Sequence, residues 1–447
     1  MKFLMVSNCG EGANILKFIE DEGNDVRLYI KEPGYRDVWD GLLPKAKKID
    51  PKKDEVVIFD FSGFGKLADR LKKSGVPVVG ASSFADKLEQ DRKFGFDVMA
   101  EAGITVPLTA EFFKFDGDVA DFLDENAEKE DGSERRFVFK PSGKGLPCHL
   151  TYCSCDRGDL EEYLKYVESN YAKDIESFVL QEFIEGVVVS SELWCDGTKF
   201  LRPGNHTLEV KAFMDCNHGP ATGCSGNILW IEDGPCRIIK NGVAKVEAIC
   251  ATAGHVGPID LNAVVNDEGV FALEWTPRFG YDATPTQMFL INGNIGQFFS
   301  DVARGQASEV PMNEKFAAGV RLSIPPYPLE PEKPEHVQLV RPNVGIPIRG
   351  LTEANSGAIY FYEVMEKDGA LVHSSGTGLI ACAMGVSDNP WQAFCSPYKI
   401  LDELKIPEKQ YRTDLGSVLC DMYGQVDRYD SLSMGSLYRE VAEEVSE

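Results

Sequence analysis

Glu274 and Arg278 lie four residues apart in "FALEWTPRFGYD", where an apolar run ends and a turn begins. Asp260 lies fourteen residues before Glu274, and "NDEG" at 266–269 is a turn sequence that folds the two runs into a hairpin. Opposed across that turn, the two acids would share one face. Carboxylates so placed repel unless a cation neutralises them. Such oxygen donors suit Mg²⁺, which takes one or two carboxylates and fills its shell with phosphate oxygens. The plain alternative is two acids facing solvent. It is the weaker reading for Glu274, which follows "VFAL" and precedes Trp275, and the two readings balance for Asp260.

Other segments offer partners for a phosphorylated ligand. "FVFKPSGKG" ends an apolar strand on Lys140 and runs through Ser142 and Gly143 into a glycine loop, so a point charge and loop amides meet there. It lacks the spacing of a P-loop. "VLQEFIEG" is a strand running into a linker, where backbone groups can meet the edge of an adenine. "GPATGCSGN" (219–227) reads as a loop whose amides form an anion nest, or equally as an ordinary tight loop. "SNCGEGAN" (7–14) puts the amides of Gly10 and Gly12 at a helix start, a seat for phosphate.

The elements that must carry these groups follow from periodicity. "MKFLMVS", "VRLYI", "EVVIFDF" and "VPVVGA" alternate with helical spacings, so residues 1–103 form an open α/β domain. "SSFADKLEQDRKFGFDVMAEAGI" reads as one long amphipathic helix opened by Ser caps. Residues 104–315 form a second unit, 316–425 a β-rich third unit, and 426–447 a tail that is either a surface helix or disordered. A net charge of −25 argues against a general nucleic-acid or phospholipid binder. The N-terminal apolar run is too short for a signal peptide, and no stretch approaches the roughly 18 apolar residues of a membrane helix. Twelve cysteines without paired CxxC spacing read as reduced thiols in a cytoplasmic protein.

These segments, in this order, resemble the ATP-grasp fold, and over residues 1–422 the phosphoribosylamine–glycine ligase family. "GVPVVGASSFADKLEQDRKF", "GPATGCSG", "LEWTPRFG", "AAGVRLSIPPYP" and "QYRTDLG" are similar to family segments. The resemblance implies an α/β enzyme that uses ATP and Mg²⁺ (or Mn²⁺) to join glycine to phosphoribosylamine through an acyl phosphate, in purine biosynthesis, as a monomer or homodimer. Carried over by position, Lys140, Arg92 and Lys93, with Ser142 and Gly143, bind ATP phosphates. Gln181, Glu182 and Ile184 form the adenine hinge. Glu274 binds metal, with Thr276 at a second ligand position, and Asp260 sits where other ATP-grasp enzymes place an acid. Arg278 and Lys211 are catalytic, and Gly10, Gly12, Glu209, Thr222, Gly223 and Arg278 face substrates. The chain departs from the pattern at several of these places. Thr276 replaces an Asn, Tyr281 and Ala283 replace two acids, Val188 stands at a ribose-binding Glu, and "CGEGAN" replaces G-G-R-E-H-A. These departures leave room for other substrates. They also leave room for a non-catalytic, regulatory nucleotide-binding protein on the same fold.

Overall fold

The computed structural model describes residues 1–143, 150–232, 236–328 and 343–429. The glycine loop beyond Gly143, most of the Pro-rich loop and the tail from residue 430 lie outside the described residues.

Four short apolar runs form a parallel sheet in the order β2-β1-β3-β4: β1 Lys2–Ser7, β2 Asp25–Ile30, β3 Glu55–Phe59 and β4 Val78–Val79. Phe3 to Val6 and Val56 to Phe59 are fully buried, as expected of parallel strands covered on both faces. Helices α1 (Ala13–Asp21) and α2 (Gly65–Lys73) follow β1 and β3. The single long helix expected after β4 is two helices, α3 (Ser83–Gln90) and α4 (Arg92–Glu101). Asp91 breaks them because it is extended and its carboxylate accepts the Phe94 N–H at 3.0 Å, capping α4. The apolar stripe continues through the break, so periodicity alone hides it.

A small antiparallel sheet comes next, in the order β5-β8-β6-β7: β5 Thr109–Phe112, β6 Phe137–Ser142, β7 Tyr152–Cys153 and β8 Ser177–Glu182. Its apolar face packs on α5 (Gly117–Glu125) and α6 (Arg157–Tyr171) through Phe137, Phe139, Phe178, Leu160 and Leu164.

The largest sheet has eight antiparallel strands in the order β13-β12-β9-β10-β11-β14-β18-β15. They are β9 Val187–Asp196, β10 Phe200–Ala212, β11 Ala221–Glu232, β12 Val256–Val265, β13 Val270–Thr276, β14 Phe316–Ser323, β15 Ile359–Phe361 and β18 Leu379–Ser387. Strands β16 (Val364–Lys367) and β17 (Ala370–His373) form a separate hairpin. Helices α7 (Arg237–Asn241), α8 (Glu247–Ala253), α9 (Ala283–Met288), α10 (Ile295–Ala303), α11 (Pro390–Glu403) and α12 (Leu415–Arg428) complete the fold. Strand β14 pairs with β11, so the large sheet runs unbroken across residue 316. "GPATGCSGN" does not form the expected loop: Thr222 and Gly223 lie near the start of β11, in the irregular stretch between its Ala221–Ala212 and Gly226–Val210 pairs with β10, and β14 pairs with β11 only from Gly226 on. No described helix is long and apolar enough to cross a membrane, and no disulfide joins described cysteines.

Candidate active site

The hairpin of β12 and β13 places Glu274, but not by simple alternation. Val265 pairs with Val270, which taken alone would set Leu261 opposite Glu274 and turn Glu274 away from Asp260. A bulge at Leu273 shifts the register, so Asn262 pairs with Glu274 and Asp260 with Thr276. Glu274 and Asp260 therefore share a face as diagonal neighbours, rather than as the opposed pair expected from their spacing. Asn262, which sequence reasoning passed over, is the residue opposite Glu274, and its Nδ2 donates to Thr276 Oγ1 at 3.2 Å.

Glu274 is accessible, and cations from four elements surround it. Burial in the cleft pushes its carboxyl up. Lys211 on β10, Lys140 on β6, Arg92 on α4 and Arg278 after β13 outweigh that and hold it below the usual carboxylate range. The small sheet thus faces the large one across a cleft. Lys140 reaches into it from β6, its Nζ donating to Gln181 Oε1 at 2.6 Å. Strand parity explains this contact: Val138 pairs with Gln181, so Lys140, two residues on, shares the Gln181 face. Burial lowers the Lys140 pKa to about 8. Glu274 opposes that shift, while Arg92 and Lys211 add to it. Arg92, Glu89, Glu274, Thr276 and Arg278 line a cavity of about 190 Å³.

The remaining expected residues divide. Ser142 ends β6 and Gly143 is exposed just beyond it, beside the cleft strand. The Glu182 carboxylate turns to the opposite face from Gln181, where Arg135 (3.3 Å) and Lys129 (3.7 Å) pair with it. The N–H groups of Glu182 and Phe183 bond to Leu108 O and Arg136 O, and Ile184 follows in the linker to β9. Lys93 points to solvent and pairs with Asp97 at 2.7 Å, so Arg92 alone of that pair lines the cavity. Thr222 donates its hydroxyl to Lys211 O at 2.8 Å, and Gly223 packs beneath Tyr281. Glu209 shares the Lys211 face of β10. Burial raises its pKa to about 7 against the pull of Lys211.

Gly10 and Gly12 do not offer their amides to a phosphate. The Gly10 N–H donates to Ser7 Oγ at 2.7 Å and the Gly12 N–H to Asp60 Oδ2 at 2.8 Å. A carboxylate of this chain already fills the seat at the start of α1. Arg278 is also engaged. Its Nε donates to Glu89 at 3.1 Å, one terminal nitrogen donates to Phe279 O at 2.9 Å, and its plane lies near the rings of Tyr281 and Phe61.

An oxygen-seeking cation fits the hairpin. Asp260 is 4% exposed and accepts a hydrogen bond from Ser190 Oγ on Oδ2, while its Oδ1 has no partner among the described residues. Burial, then the neighbouring Glu192, push its pKa to about 7. An orphaned carboxylate oxygen beside an accessible Glu274 and the amide of Asn262 is a donor set for Mg²⁺.

No family model matches the chain. The chain is 23% identical over 438 residues to phosphoribosylamine–glycine ligase of Streptococcus pneumoniae, covering 93% of this chain and 99% of that protein. The crystal structure of phosphoribosylamine–glycine ligase from Thermotoga maritima matches with a TM-score of 0.68 at 20% identity, over 92% of this chain and 99% of that one. The chain is similar over most of its length to phosphoribosylamine–glycine ligases, at identities of 23–25%. Its fold is ATP-grasp. A second ATP-grasp structure, the biotin carboxylase domain of Hydrogenobacter thermophilus 2-oxoglutarate carboxylase in complex with MgADP, ADP and bicarbonate, matches with a TM-score of 0.59 at 12% identity, over 99% of this chain and 98% of that one.

Proposed function

We propose that this protein is an ATP-dependent carboxylate–amine ligase, ADP-forming, that activates an acid as an acyl phosphate and passes the acyl group to an amine. The observation that carries the reading is one accessible carboxylate, Glu274, ringed by Lys140, Lys211, Arg92 and Arg278 from separate elements of the cleft. Lys140 and Arg92 neutralise the nucleotide phosphates, and the linker around Ile184 offers backbone groups to the base. Glu274, Asp260 and Asn262, with Thr276 bonded to Asn262, hold Mg²⁺, which screens the phosphate charge when bound. Arg278 and Lys211 stabilise the charge that develops as phosphate moves to the acid. Catalysis of this kind is positioning and charge neutralisation on preorganised groups. The relatives named above act on glycine and phosphoribosylamine, and an amino acid such as glycine is the first acid to try.

The expected result is ADP release from ATP and Mg²⁺ that requires both an acid and an amine, measured with each omitted in turn. ATP hydrolysis indifferent to every acid and amine, or binding without turnover, would favour a regulatory nucleotide-binding role.

A further inference from the structure

The loop after β1 and the end of β3 meet because these strands are parallel neighbours, and both carry acids, of which Glu11 interacts with Arg278 at the wall of the cavity. Asp60 is 4% exposed and closes the loop through Ser7 Oγ (2.6 Å) and the Gly12 N–H, while its Oδ1 has no partner among the described residues. Glu11 is half-buried on the same loop. The Tyr360 hydroxyl donates to its backbone carbonyl at 2.8 Å, and its carboxylate bonds to Cys9. The charged groups facing Glu11 are Asp60, Arg321 and Arg278. Both arginines draw its pKa down, but each already holds another acid. Arg321 is forked onto Asp282 at 3.0 and 2.6 Å, and Arg278 is bonded to Glu89. Four carboxylates thus meet two guanidiniums, and the loop amides at 10 and 12 point inward. A phosphate here would face two acids, with the loop amides bonded inward and both guanidiniums already bonded to other acids, whereas an ammonium would satisfy both acids.

We propose that the acyl acceptor is an unphosphorylated basic amine that enters as an ammonium ion and docks against Glu11 and Asp60. This rests on the ligase reading. The ammonium passes one proton to the Glu11 carboxylate. The freed lone pair forms the C–N bond at the acyl carbon, the C–O bond to phosphate breaks, and phosphate leaves with that electron pair and takes the second amine proton. Burial, with Asp60 beside it, raises the Glu11 pKa to about 7, which suits a base working near neutral pH.

The test runs the wild-type protein with ATP, Mg²⁺ and a panel of amino acids as acids. Unphosphorylated alkylammonium ions are compared with freshly generated phosphoribosylamine as acceptors. In a separate arm hydroxylamine replaces the amine and traps the acyl phosphate as a hydroxamate. The expected result is a kcat/KM at least tenfold higher for an unphosphorylated amine. Its acid limb should lie near pH 7, because the base is lost on protonation. Glu11→Gln should raise the KM for that amine at least tenfold and abolish the limb. Preference for phosphoribosylamine, or a Glu11→Gln variant with unchanged KM and pH profile, would overturn the proposal. Hydroxamate formation alongside that preference would refute the amine class alone, whereas no hydroxamate with any acid would bring down the ligase reading too.

Discussion

Glu274→Ala is expected to reduce ADP release about 10²- to 10³-fold, the size of effect seen when one preorganised charge-stabilising group is removed. The variant should also separate binding from turnover. Four cations surround Glu274, so deleting the carboxylate leaves more positive charge facing the nucleotide. ATP affinity without Mg²⁺ should therefore hold or tighten, while the Mg²⁺ dependence of both binding and turnover should largely disappear. Titrating ATP with and without Mg²⁺, beside an ADP assay, reads both effects. Turnover in the variant with undiminished Mg²⁺ dependence would show that the metal sits elsewhere.

Asp282→Asn is expected to destabilise the fold by about 3–5 kcal/mol, the cost of breaking a buried ion pair from one side. Asp282 is fully buried and Arg321 is 6% exposed. The guanidinium fork meets both carboxylate oxygens, Tyr362 donates to Oδ1, and Arg321 also donates to Tyr327 at 2.8 Å. This pair ties the start of α9 to β14. Removing one partner strands a charge, whereas Asp282→Leu with Arg321→Met removes both. The double variant should lose less stability than Asp282→Asn alone. Denaturant midpoints of the two variants against wild type check this, and a double variant less stable than the single one would contradict it.

The order of the cleft strands was legible because their apolar runs are strong and their charged ends fall where strands stop. Lys140 and Gln181 came together as parity dictates. The β12–β13 hairpin was half legible. Its strands and turn read correctly, but one extra residue at Leu273 decides which face Glu274 takes, and no composition signal marks a bulge. Asn262 was hidden for that reason. Gly223 and its neighbours read as a loop because glycine disfavours strands, yet they are carried in β11 as an irregular stretch between paired residues Ala221 and Gly226. Asp282 lies between Tyr281 and Ala283, the positions that lost acids, and only its buried partner Arg321 shows it to be an anchor. Glu11 and Asp60 are 49 residues apart in the chain. Both follow strands of one parallel sheet at their carboxyl ends, where open α/β sheets bind ligands, and that was the signal available for finding them.

In the proposed reaction phosphate is transferred from ATP to an oxygen of the acid. The direct measurement is to supply the acid with ¹⁸O in its carboxylate and analyse the inorganic phosphate released during turnover. An acyl phosphate intermediate predicts one ¹⁸O in each phosphate formed. Phosphate that carries no ¹⁸O from the acid would contradict it, because the acid would then never have been phosphorylated.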